Sequence, residues 1–143
     1  MLPRIKINYL SGQLGTVGTS PDGLVAIVAG ATAVASTFEL GLSYNLRKLS
    51  ELTALGVTEE NNPALVRLVR DFYRQAEEGT EVVVCGVDPA KTMTELLAKE
   101  EGAVRKLLER HSGALRAVFL SSSAGDSEEV TEGLSPDVYT ALP

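Results

Sequence analysis

Asn62 to Val87 read NPALVRLVRDFYRQAEEGTEVVVCGV, a capped amphipathic helix, a glycine and an apolar strand in succession. Pro63 stands at the first helical position, where a missing N–H costs nothing, so Asn62 is the expected N-cap. Leu65, Leu68, Val69, Phe72, Tyr73 and Ala76 recur at helical spacing, and Arg67, Arg70, Asp71, Arg74 and Glu78 fall on the other face. Arg67–Asp71 and Arg74–Glu78 are i,i+4 pairs, each contributing only ~0.2–0.5 kcal/mol. Burying one large apolar side chain contributes ~1.5–3 kcal/mol, so packing decides this helix. Gly79 is the expected stop. Glu81–Val87 then reads as a strand that is apolar on both faces, as parallel strands covered by helices are.

The same logic extends in both directions. Leu24–Ala29 is a second buried strand, followed by the small residues Gly30–Ser36. The mixed segment Phe38–Lys48 holds a further strand around Leu42–Leu46. Ser50 is the expected cap of a short helix, Glu51–Leu55, ended by Gly56. Beyond Val87, Asp88-Pro89 turns the chain into a helical region, Met93–His111. There Met93, Leu96, Leu97, Val104, Leu107 and Leu108 share one side, and Gly102 is a point of division. Ser112-Gly113 stops it, and Ala114–Leu120 is another apolar strand. Connections this short between strand, helix and strand require parallel strands and a right-handed crossover. The expected fold is α/β: a mainly parallel or mixed sheet flanked by helices, in a single compact domain over residues 23–121.

Two flanking segments differ in character. Residues 1–22 comprise an alternating stretch, Arg4–Leu10, and a glycine-punctuated connector. Ile5, Ile7 and Tyr9 lie on one face of the stretch and Lys6 and Asn8 on the other, the period of a half-buried strand. It reads equally as an edge strand of its own domain or as an arm that adds to a neighbour's sheet, with Ile5, Ile7 and Tyr9 as the inter-subunit contact. Residues 122–143 begin as a polar, acidic linker. They end in Ser135-Pro136-Asp137, the opening of a helix that Pro143 cuts short. The expectation is a fragment of a longer protein.

Composition excludes several functions. The formal charge over 143 residues is −6, which suits neither nucleic acid nor an anionic membrane surface as partner. No run of residues approaches the ~20 apolar positions a membrane span needs, and the N-terminus is no signal peptide, so a soluble protein is expected. Cys85 is the only cysteine; within Val82–Val87 it reads as core filler. One cysteine and one histidine do not build a structural zinc site. His111, at the end of a helical stripe, is suited to the negative end of the helix dipole. Gly30-Ala31-Thr32-Ala33 lacks the lysine and glycine spacing of a phosphate loop. Ser43 lacks the closing glycine of a nucleophile elbow. The adjacent acidic pairs, such as Glu100-Glu101, diverge as sequence neighbours do. No catalytic, cofactor-binding or metal-binding constellation emerges, and no enzymatic activity is expected.

The order of blocks is informative where the chemistry is not. Gly23-Leu-Val-Ala-Ile-Val-Ala-Gly-Ala leads to a second strand, then to Leu49-Ser50-Glu51-Leu52-Thr53-Ala54-Leu55-Gly56. Next come Leu65-Val66-Arg67-Leu68-Val69-Arg70-Asp71-Phe72-Tyr73, Gly79, and Glu81–Val87. This succession resembles the first half of the sheath subunits of contractile bacteriophage tails, over roughly Gly23 to Leu120. It departs from longer sheath proteins in having Gly30-Ala31-Thr32-Ala33 where they carry a Gly-Pro turn, and in lacking their C-terminal half. The resemblance implies a structural protein of the virion tail, assembled in the bacterial host cytoplasm. Its implied partners are further copies of itself and the tail tube protein, and it implies no cofactor. Two other readings remain: a small-ligand or nucleotide-binding α/β domain using the carboxyl ends of the strands, and another tail component such as a terminator or connector.

Overall fold

The computed structural model describes residues 23–77 and 79–122. Leu24–Gly30 forms β1 and Ser43–Leu46 forms β2; helices α1 (Leu49–Ala54) and α2 (Pro63–Gln75) follow, then β3 (Val82–Val87), α3 (Met93–Leu97), α4 (Ala103–Arg110) and β4 (Leu115–Ser121). The four strands make one sheet in the order β2-β3-β1-β4. β1 is parallel to both β3 and β4, and β2 runs antiparallel to β3. The mixed sheet with helices on both faces is the α/β domain expected of the sequence. β3 and β4 are parallel, as their short connection requires, but β1 lies between them, so α3 and α4 carry the chain across it.

Alternation along the strands sorts the core into two layers. Ile27 and Ala29 of β1 and Val82 and Val84 of β3 pack with Leu52, Leu65, Val66 and Val69 from α1 and α2. Ala26, Val28, Val83 and Cys85 face the other way, against Leu96 and Leu107 from α3 and α4. β3 is buried at every position, because it has a strand on each side and a helix layer on each face. That environment is the physical reason for its valine-rich composition.

Several local expectations need correction. Ser50 lies inside α1; Lys48 occupies the N-cap position and makes no side-chain cap bond. The turn is held instead by Glu51, whose carboxylate accepts the Arg47 N–H at 2.7 Å. Asn62 is at the N-cap position of α2, but its side chain leaves the helix and does not cap it. α2 ends at Gln75 rather than at Gly79, because Ala76 has already turned to an extended conformation. Arg67 lies 3.9 Å from Asp71, as the spacing predicts, while Arg74 contacts Asp71 at 3.3 Å; Glu78 lies outside the described residues. Val66, off the expected stripe, is buried, since α2 packs against α1 as well as the sheet. Gly102 does divide the second helical region, standing at the N-cap of α4.

Candidate assembly surface

Ile5, Ile7 and Tyr9, the residues expected to make a strand contact, lie outside the described residues, as do the rest of the segment 1–22 and the linker 123–143. The sheet nevertheless displays where a further strand would fit. Among the described residues β4 pairs only with β1, and its outer edge faces no other strand. An unpaired edge is a row of backbone donors and acceptors ready for another chain segment.

Register specifies what flanks that edge. Ala117 sits beside Val25, Phe119 beside Ile27 and Ser121 beside Ala29, with an irregularity between Leu24 and Val25. Ile27 and Ala29 belong to the layer covered by α1 and α2, so Ala117 and Phe119 share that face. The helices do not extend over β4: Phe119 is 54% exposed although its register partner Ile27 is 3% exposed. On the opposite face Val118 and Leu120 are half-buried against the α3–α4 layer. The apolar run Ala114–Leu120 suggested a fully covered strand. Arg116, a charge in its interior and exposed, is the one signal of an edge position that the sequence carried.

At the carboxyl ends of the parallel strands, where open sheets place ligands, the segment after β1 is otherwise engaged. The chain leaving β1 is tied back by Asn62, itself 4% exposed. The Asn62 Oδ1 accepts the Thr32 N–H at 2.6 Å, and its Nδ2 donates to the Thr32 carbonyl at 3.0 Å. Asn61 braces the same corner, accepting from the Thr58 N–H and donating to the Gly56 carbonyl, both at 2.8 Å. A backbone N–H that would cradle a phosphate after β1 is thus already bonded within the protein. The first helix after β1 does not begin until Leu49, so no helix amino terminus opens directly from that strand.

The remaining candidates for chemistry are placed as follows. Cys85 is buried in β3, and burial pushes its thiol up from the usual range, with the nearby Arg110 charge opposing in the smaller measure. A thiol so placed is poorly disposed to act as a nucleophile. His111 occupies the C-cap of α4, as its position in the sequence suggests. Its Nε2 is buried and makes no hydrogen bond. No group of three or more His, Cys, Asp or Glu side chains with metal-binding spacing occurs among the described residues. No helix among them is long and apolar enough to cross a membrane.

The chain matches the family described as DUF2586, N-terminal domain, over residues 2–131. It belongs to that family. The match takes in Arg4–Leu10 as well as every strand and helix described above, so the DUF2586 N-terminal domain includes both the sheet and the alternating segment before it. No curated protein and no solved structure matches the chain.

Proposed function

We infer that this DUF2586 domain is part of a structural subunit of a contractile phage or prophage tail sheath, which polymerises around the tail tube and shortens on triggering. Its partners in this reading are further copies of itself and the tube protein, in the virion tail, after assembly in the bacterial host cytoplasm. It acts without a cofactor or a catalytic residue. The observation that supports the reading is the order of elements: β1, then β2 running into α1 and its closing Leu55-Gly56, α2 with Phe72 and Tyr73 in its last turns, Gly79, and the valine-rich β3. That is the succession by which the sequence resembles sheath subunits. Among the described residues, a β4 edge with no further strand, beside the exposed Phe119, is also the kind of surface a polymerising subunit needs.

Negative-stain electron microscopy of the whole gene product tests the proposal. Striated tubes or stacked rings are the expected outcome. Rings that stop at a single layer would point to a terminator or connector instead. Discrete small particles, with a thermal shift on adding nucleotides or sugar phosphates, would overturn the structural reading in favour of a ligand-binding domain.

A further inference from the structure

We propose that the loop 32–37 and the turn 58–62 open and close as one cooperative unit, short of global unfolding, so that whatever engages one is felt at the other. A closed circuit of hydrogen bonds joins them. The Thr37 hydroxyl donates to the Leu55 carbonyl at 2.8 Å. Earlier in the same loop, the Thr32 N–H and carbonyl are both bonded to the Asn62 side-chain amide. The Asn62 Nδ2 also donates to the Asn61 Oδ1 at 3.1 Å, and the Asn61 Nδ2 donates to the Gly56 carbonyl at 2.8 Å. Leu55 and Gly56 are chain neighbours, so the circuit returns to where it began. Val34 packs at the same point, its Cγ1 2.9 Å from where a Cβ on Gly56 would stand.

Burial explains why the two segments depend on each other. Thr32, Ala33, Ala35, Ser36 and Thr37 are exposed and Val34 is half-buried; Glu59, Glu60 and Asn61 are exposed and Thr58 is half-buried. Neither segment buries enough apolar surface to hold its own shape, so each is ordered mainly by its bonds to the other. Breaking one bond of the circuit frees the groups that hold the next. The unit has firm boundaries. Phe38 and Val57, which follow the loop and precede the turn, are fully buried. The Ala31 and Gly41 N–H groups donate to the Val87 and Gly86 carbonyls, each at 2.8 Å, and so fix the chain on either side of the loop to β3.

The unit belongs to the domain itself and does not depend on the sheath reading. Native-state hydrogen exchange on the full chain tests it through two variants, each read on the opposite segment. Thr37→Val removes the hydroxyl and is read at the Thr58 and Asn62 amides, whose acceptors, the Asn61 Oδ1 and the Thr58 carbonyl, it leaves in place. Asn61→Ala is read at the Thr32 and Val34 amides, whose acceptors, the Asn62 Oδ1 and the Phe38 carbonyl, it likewise leaves in place. Each variant is expected to speed exchange at the distant amides at least ~5-fold, the lower end of ordinary coupling between sites. The Ala114 amide, bonded to the His111 carbonyl at 2.9 Å beyond α4, should keep its rate. Acceleration confined to the altered segment would overturn the proposal. Equal acceleration at Ala114 would overturn it too, since it would report only a loss of global stability. Should either variant fail to fold, the unaltered protein in rising denaturant decides. The Thr32, Val34, Thr58 and Asn62 amides are expected to merge into one opening, with a common denaturant dependence, before Ala114 joins them; four separate openings overturn the proposal.

Discussion

The ring of Phe38 lies against the backbone of Gly86, so close that a Cβ at that glycine would stand 2.7 Å from the ring Cζ and 2.8 Å from Cε1. Phe38 is fully buried, stacks on Tyr44 at 5.1 Å between ring centres, and is carried there by the turn Val34–Phe38. The glycine in the middle of a buried strand is thereby explained: it is a site of close approach rather than of unusual backbone. Gly86→Ala is expected to lower stability by ~1–3 kcal/mol, the usual range for overpacking a core. Phe38→Leu, itself destabilising, should recover part of that loss in the double variant, giving a coupling that a denaturation double-mutant cycle measures. Strict additivity would mean that the ring is not what excludes the methyl group.

Gly56 carries a different constraint. Its φ is +77°, and a Cβ there would lie 2.9 Å from Val34 Cγ1. Gly113 has a similar φ, +80°, but opens to free space. Gly56→Ala and Gly113→Ala share the penalty of a left-handed alanine, about 1–2 kcal/mol. The excess destabilisation of Gly56→Ala in chemical denaturation therefore measures the contact with Val34. Val34→Ala is expected to remove most of that excess.

The way these glycines act marks the limit of what the sequence disclosed. Gly56 and Ser112-Gly113 were legible as stops because local backbone needs recur wherever a helix ends. The buried strands Leu24–Gly30 and Val82–Val87, and the helix after Pro63, were legible because period and composition report burial directly. Gly86 was not, since its reason is the ring of Phe38, 48 residues away in the chain. Asn62 was read as a cap from its position before Pro63, but a partner 30 residues distant claimed its side chain. The edge position of β4 was hidden for a similar reason. Apart from Arg116, Ala114–Leu120 is as apolar as an inner strand, and it is the spatial order β2-β3-β1-β4 that leaves Phe119 uncovered.

The Asn62 brace yields a third prediction. Asn62→Ala would leave the N–H and C=O of Thr32 without their partners in a part-buried corner, at a cost of ~1–3 kcal/mol for each such group that water does not reach. Asn62→Asp separates the two bonds. It retains an acceptor for the Thr32 N–H, but when ionised it sets a carboxylate against the Thr32 carbonyl. Protonated, it donates to that carbonyl as the amide does. Its carboxyl should therefore titrate above the ordinary ~3.9 in the folded protein. Such a raised value contributes stability at low pH that is lost as pH rises through it, so the deficit of Asn62→Asp relative to the parent should widen from acid towards neutral pH. A deficit independent of pH would show that the side chain is not held against Thr32.

Tyr73 joins α2 to the approach to β3. Its hydroxyl donates to the Thr80 carbonyl at 3.2 Å, and its pKa is pushed up from 10.0 to about 12, first by burial and then by the negative charges of Glu51 and Glu81. A phenol whose folded pKa is raised keeps its proton in the native state at a pH where the unfolded chain has begun to release it. The contribution is thus fully present below pH 10 and is lost between about 10 and 12, which makes the native state less stable as pH rises through that window. Tyr73→Phe should remove from the tyrosinate absorbance titration a component with a midpoint near 12, and should flatten the alkaline fall in denaturation midpoint. Glu51→Gln and Glu81→Gln should each move that component towards 10 without abolishing it, because burial, the larger cause, is untouched. A return all the way to 10 in either glutamine variant would assign the shift to charge and would mean that the phenol is far wetter than its place between α2 and Thr80 implies.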